Sequence, residues 1–328
     1  MGETYAYAVG NIRACEARLL TRQDVEQLLA VRTADELVAQ LRDKGFGAQD
    51  AARPAEGAEE LLRQETQEMW AYLERLLPGS ALFRPFWLRN DYHNLKAVIK
   101  GTLADRAYDG LLLEPCTVAI KTLEEAVHER EFGRLPKHMA AAAAEAYDML
   151  AHTADVQTCD AILDKAAMTA MLAAADEAGE PVLTELMQAT VAYNDYKIAL
   201  RCARAGKGAE YLNRALCEIP GLSASSLTQA AVSGVDAVLE WMEQRDLFGS
   251  RAAAEQFRVS PSAFERQADN AVMQIARKGR MQAMGAAPVL GYLVARETEI
   301  KVLHILLSGL HAGQPEESIR ERLRDLYV

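Results

Sequence analysis

The sequence predicts an all-α protein built from three similar helical modules, and three observations carry that prediction. Apolar residues recur every three or four positions through most of the chain, whereas the two-residue alternation of strands is nearly absent. Helix-start signals and glycine stops bracket those periodic stretches. The triplet Asn-Asp-Tyr occurs twice inside an apolar helical pattern, as Asn90-Asp91-Tyr92 and, 104 residues on, as Asn194-Asp195-Tyr196.

Taken from the amino end, TADELVAQLRDKGFG (33–47) has Thr33 and Glu36 at capping-box spacing and Leu37 and Leu41 one turn apart. Gly45 or Gly47 suits a left-handed stop. In WLRNDYHNLKAVIKG (87–101), a rotation of about 100° per residue stacks Leu88, Tyr92, Leu95 and Ile99 into an apolar ridge, widened by Trp87 and Val98. Arg89, His93, Lys96 and Lys100 form the polar ridge beside it. Asp91 falls between Val98 and Leu88, inside the apolar arc. A carboxylate in a packing face is costly unless paired or hydrogen-bonded, so Asp91 requires a partner elsewhere in the chain.

The helical grammar returns in TLEEAVHEREFG (122–133), with a capping box expected from Thr122 and Glu125, a Leu123–Val127 pair and a stop at Gly133. MAAAAAEAYDMLAHTADV (139–156) is a helix of small side chains against which a neighbour can pack closely. TVAYNDYKIALRCARAG (190–206) repeats the signature, placing Asp195 in the arc that Asp91 occupies. EWMEQRDLFG (240–249) ends on a third Phe-Gly, after those at 46 and 132. A looser third signature, ARETEIKVLHILLSG (295–309), matches Ile300-Lys301-Val302 to Leu95-Lys96-Ala97 after a shift of 205, with its carboxylates moved to Glu297 and Glu299. The simplest division is three modules, 1–105, 106–208 and 209–328. Two matching acids so far apart point to a structural device, an acid bonded to the start of a neighbouring helix or to a basic side chain. A carboxylate that titrates or meets a partner is the alternative.

Bulk properties narrow the function classes. The 328 residues are 50% apolar and 25% charged, ordinary values for a globular chain with room for two or three domains. A formal charge of −11 argues against a nucleic-acid role, which needs a basic face. Cys15, Cys116, Cys159, Cys202 and Cys217 are scattered, odd in number and free of any C-x-x-C pair, which suggests small buried residues in a reducing cytoplasm. The amino-terminal stretch lacks a secretory pattern, and position 6 is Ala where a myristoylation signal needs Ser or Thr. The longest charge-free run, MQAMGAAPVLGYLVA (281–295), is too short to cross a bilayer.

Motifs for catalysis or cofactor binding are incomplete throughout. Around ARAGKGAEYL (203–212), position 201 is Arg and position 208 is Gly where a Walker loop needs Gly and then Ser or Thr, so the stretch reads as a turn between helices. Glu125 and His128 make one Glu-x-x-His pair, and a carboxylate-bridged metal site in a bundle needs two. Neither H-E-x-x-H nor G-x-S-x-G occurs. No catalytic, cofactor or metal residue is assigned, and no small-molecule substrate is expected.

Together FWLRNDYHNLKAVIKG, TVAYNDYKIALRCARAG, PVLGYLVARETEIKVLHILLSGLHAG and the closing ESIRERLRDLYV resemble the C subunit of the bacterial and archaeal rotary V/A-type ATPases, a relative of the eukaryotic V-ATPase d subunit. The likeness runs from ARLLTRQDVEQLLAVRTADEL to Val328, and its most specific residues are Tyr292, Glu297, Glu299, Lys301 and Tyr327-Val328. The second signature departs from the first, with Ile198-Ala199-Leu200 where the first has Asn94-Leu95-Lys96. The resemblance implies three helical domains about a pseudo-threefold axis, forming a funnel. It also implies a non-catalytic place in the central stalk, cytoplasmic and peripheral at the inner face of the membrane. There the protein would join the shaft subunits D and F to the proteolipid ring for ATP-linked transport of protons or sodium. A free-standing helical-repeat adaptor is the alternative, and neighbouring genes for a Walker-loop subunit and a proteolipid would separate the two.

Overall fold

The computed structural model describes residues 2–47 and 57–328, and among them every regular element is helical. The chain forms two compact units, Met1–Ser80 with Glu255–Val328, and Ala81–Ala254. No helix of the described residues is long and apolar enough to cross a membrane.

The first unit joins the two ends of the chain. Helix α1 (Gly2–Glu16) leads to α2 (Arg22–Leu29), α3 (Ala34–Asp43) and α4 (Ala58–Leu76). Thr21 begins α2 with a full capping box, since its hydroxyl accepts from Asp24 N while Asp24 accepts from Thr21 N. At α3 the box opens by one residue. Thr33 accepts from Glu36 N, but Glu36 reaches back to Arg32 N instead of Thr33.

The second unit begins at α5 (Arg84–Ala104), the first signature helix, followed by α6 (Ile120–His128), α7 (Lys137–Thr153) and α8 (Val156–Ala178). Then come α9 (Pro181–Ala205), the second signature helix, α10 (Ala209–Ala215), α11 (Ala224–Ser233) and α12 (Val235–Arg245). Helix α13 (Ser250–Val259) spans the boundary, and the first unit resumes with α14 (Pro261–Arg277), α15 (Ala286–His311) and α16 (Glu316–Arg320).

Leu88, Tyr92, Leu95, Val98 and Ile99 of α5 are buried while Arg89 and His93 are exposed, as the periodicity requires. Alanines 143 and 146 of α7 are fully buried where it packs along α8, itself buried through Ala167, Ala170, Ala174 and Ala175. Small side chains on both helices bring the backbones close. The Lys207 turn is a left-handed stop at Gly206 (φ 66°) followed by the start of α10.

Two details of the expected grammar need correction. Helix α6 begins at Ile120 with no side-chain cap, so Thr122 lies inside the helix and cannot cap it. The Phe-Gly pairs also lie beyond their helices, which end at Asp43, His128 and Arg245. In the second case the left-handed residue is Arg130 (φ 56°), not Gly133. Each Phe-Gly is a short turn after the stop, where the chain changes direction.

In the first unit a hydrophobic core gathers Leu28, Leu37, Leu41, Leu61 and Leu62 from α2–α4 with Val302, Leu303 and Leu306 of α15. The closing segment seals it. Ile319 lies on Gly309 and Tyr327 on Gly291, so close that an added Cβ would come within 2.6 Å of each. A larger residue at Gly309 would force the Ile319 side chain to shift, and at Gly291 the added Cβ would also come within 2.9 Å of the Ala276 carbonyl oxygen, a backbone atom that cannot swing aside.

Candidate functional site

The signature acids are buried at junctions where a long helix holds an irregular segment. On α5 the polar residues bind residues 111–118 nearly rung by rung. His93 Nε2 lies 2.9 Å from the Leu111 carbonyl oxygen, and Asn94 exchanges two bonds with the Leu113 backbone, at 2.9 and 2.7 Å. Asn90 donates to Pro115 O at 2.8 Å. Asp91 then accepts from Thr117 N at 2.7 Å, from Val118 N at 3.1 Å and from the Thr117 hydroxyl. These donors lie just ahead of α6, whose first turn of N–H groups has no side-chain cap. Burial pushes the Asp91 carboxyl above its ordinary range, and the Thr117 and Val118 donors pull it back.

Asp195 repeats the placement on α9 with fewer partners. Its Oδ2 accepts from Cys217 N at 2.9 Å, in the segment between α10 and α11, while Oδ1 is buried with no hydrogen-bond partner. Burial pushes this carboxyl up to about 7, against the Cys217 N–H and the nearby Lys165. Tyr193, just ahead on the same helix, donates to Phe248 O at 2.8 Å and so ties the third Phe-Gly turn to α9.

Glu299 on α15 accepts from Leu20 N, just ahead of α2. Its second oxygen accepts from Arg296 at 2.7 Å, and Arg296 reaches Glu65 of α4 at 2.6 Å. Glu65 in turn accepts from Gly47 N at 2.6 Å, and the Arg296 guanidinium lies over the Phe46 ring at 5.3 Å. One arginine between two buried acids thus holds the first Phe-Gly turn and the entry to α2. Burial raises the Glu299 carboxyl and Arg296 opposes the rise. Glu297 is half-buried and takes no part in the Leu20 bond.

The structure therefore brings Asp91, Asp195 and Glu299 each to a backbone N–H ahead of another helix and leaves Glu297 aside. Sequence reasoning missed Asn90, Asn94, Glu65 and Arg296. A signal for Arg296 existed, because the shift of 205 carries Asp91 onto it. The acid of the first two signatures is a base in the third, and its carboxylate has moved about one helical turn on, to Glu299. Among the described residues no group of three His, Cys, Asp or Glu side chains could hold a metal ion. Glu125 instead meets the cations Lys121 and Arg134, at 3.7 and 3.9 Å.

Fold and junctions together define an all-α protein in which buried acids organise backbone. Residues 8–322 match the ATP synthase (C/AC39) subunit family, and the chain belongs to that family. Its curated relatives include the C subunit of the V-type sodium ATPase of Enterococcus hirae, 21% identical over 96% of this chain and 97% of the relative. The C subunit of the V-type ATP synthase of Thermus thermophilus is 24% identical over 98% of this chain and 99% of its own. The C subunit of the A-type ATP synthase of Methanocaldococcus jannaschii is 24% identical over 98% and 86%.

Proposed function

We propose that this chain is the non-catalytic central-stalk subunit of a rotary V/A-type ATPase, a socket that couples the D and F shaft to the proteolipid ring at the inner face of the membrane. The observation that carries the reading is the family match along nearly the whole chain, residues 8–322, together with relatives that are themselves C subunits of V-type and A-type enzymes. The three signature junctions support the three-module, pseudo-threefold part of it. Asp91 serves α6, Asp195 serves the segment before α11, and Glu299 serves α2 near the start of the chain. The third helix thus meets the chain's beginning, as a circuit of three parts would require. The funnel shape belongs to the same reading.

A socket of this kind transmits torque and carries out no bond chemistry. Inverted membrane vesicles stripped of this subunit should keep ATP hydrolysis in the head and lose ATP-driven ion uptake, and adding the chain back should restore uptake. Uptake at the normal rate without the subunit would overturn the socket role.

A further inference from the structure

We infer that the arginine-lined groove between α2, α14 and the closing segment of the first unit is a docking site for an acidic segment of a partner protein. The groove has a volume of about 620 Å³ and opens to solvent. Arg22, Arg266, Arg277, Arg320 and Arg324 all line it, in a chain whose formal charge is −11. Two of the five are already neutralised. Arg320 meets Glu26, Glu316 and Glu317, and Arg324 meets Asp269 at 2.7 Å.

The other three have no carboxylate within ion-pair distance among the described residues. Arg266 donates to Glu321 O at 3.0 Å and Arg277 to Leu326 O, both neutral carbonyls, so each keeps its full charge and spare N–H groups. The Nε of Arg277 is buried with no hydrogen-bond partner. Arg22, on α2, is exposed and lines the groove as well. Two acids also line the groove: Glu26, already paired with Arg320 and one helical turn from Arg22, and Asp325, whose backbone N–H donates to Asn270 at 2.9 Å. Three like charges converging on one cleft repel each other, and an orphaned N–H costs free energy until an acceptor reaches it; a bound anion relieves both.

The remaining lining sets the kind of anion. Gln256, Gln267 and Asn270 offer amide groups, and Val25 and Leu323 offer apolar surface, within a volume several times that of one tetrahedral oxyanion. Carboxylate side chains on a peptide match this mixture, each able to take two parallel N–H bonds from a guanidinium. The inference goes beyond the rotor reading and stands or falls without it.

The test uses the full chain and a synthetic decaglutamate peptide, followed by titration calorimetry at low salt. Saturable binding that weakens as salt is raised is expected, with Arg22→Glu and Gln267→Glu each losing about tenfold or more in affinity. Arg106→Glu, at an exposed arginine of the second unit, should bind as the parent does. Thermal melts establish that each variant is folded. Absence of saturable binding would overturn the inference, as would an equal loss in Arg106→Glu. Inorganic phosphate binding as tightly as the peptide would also overturn it, because it would mark a small-anion site.

Discussion

The Asp91 and Asp195 junctions share a motif, a helix position and complete burial, yet differ in how the acid is satisfied. Thr117 and Val118 turn two successive N–H groups and a hydroxyl onto Asp91. Cys217 gives Asp195 one N–H, and its thiol lies instead by the Lys165 carbonyl, 3.9 Å away. One carboxylate has hydrogen bonds that favour its charge, and the other keeps an oxygen with none. The helix determines where the acid is, and the segment opposite determines whether it is comfortable as an anion. The third junction resolves the same problem with a cation, Arg296 between Glu65 and Glu299.

That third solution gives the largest expected effect. Arg296→Leu removes the shared cation from two acids that are 8% and 2% exposed at the side chain, leaving them to face each other. Breaking a buried pair from one side costs about 3–5 kcal/mol, and here two acids lose their partner. Urea melts at pH 8 would measure it. A loss below about 1 kcal/mol would place Arg296 with exposed pairs and remove the contrast among the junctions.

Next in size is the pH dependence that separates Asp195 from Asp91. Burial raises the Asp195 carboxyl from 3.8 to about 7, so the folded chain holds that proton more tightly than the unfolded one. The resulting stability is complete below the unfolded value and is lost as pH rises through about 7. Asp195→Asn cannot ionise. It should match the parent near pH 4 and exceed it at pH 8 by on the order of 2 kcal/mol, after allowance for relaxation around the site. Asp91→Asn should gain less, since three donors favour the Asp91 anion. Thermal melts across this range decide the matter, and a gap that stays flat with pH would mean that Asp195 is a solvated anion.

Truncation sharpens the same contrast in the opposite direction. Asp91→Ala orphans two N–H groups and a hydroxyl, for a loss of about 1–3 kcal/mol, whereas Asp195→Ala orphans one N–H and should lie near the lower end. Equal losses in denaturant melts at pH 6 would show that the number of donors is not what distinguishes the two junctions.

The parts legible in the sequence were those written in one helix. The apolar arc of α5, the intrusion of Asp91 and its recurrence as Asp195 all follow from local periodicity. The partners were not legible, because Thr117, Cys217 and Leu20 lie in irregular segments whose N–H groups have no side-chain signature. Glu299 could be named but its mate Glu65 could not, since an acid on an amphipathic helix reads as solvated unless the helix opposite is known. Thr122 misled for a related reason. Its spacing to Glu125 is that of a capping box, but α6 starts two residues earlier, under the segment that Asp91 holds. Tertiary contact outranked the local cap there.

The smallest expected effect lies on the outer edge of α5, a turn or two from Asp91. Lys96 meets Asp164 at 2.6 Å and Lys100 meets Asp160 at 2.6 Å, a two-rung ladder between α5 and α8. All four side chains keep between 21% and 47% of their surface in water, so solvent screens the attraction and each long lysine loses rotamer freedom to hold its place. A double-mutant cycle on Lys96→Ala and Asp164→Ala should therefore give a coupling of about 0.2–1 kcal/mol, falling further in molar salt. The same helix thus carries a fully buried acid that meets backbone and part-exposed lysines that meet acids at equally short distances. If the Lys96 coupling equalled the loss in Asp91→Ala, distance alone would set the strength of these contacts, and the weight given to burial at the three junctions would have to be withdrawn.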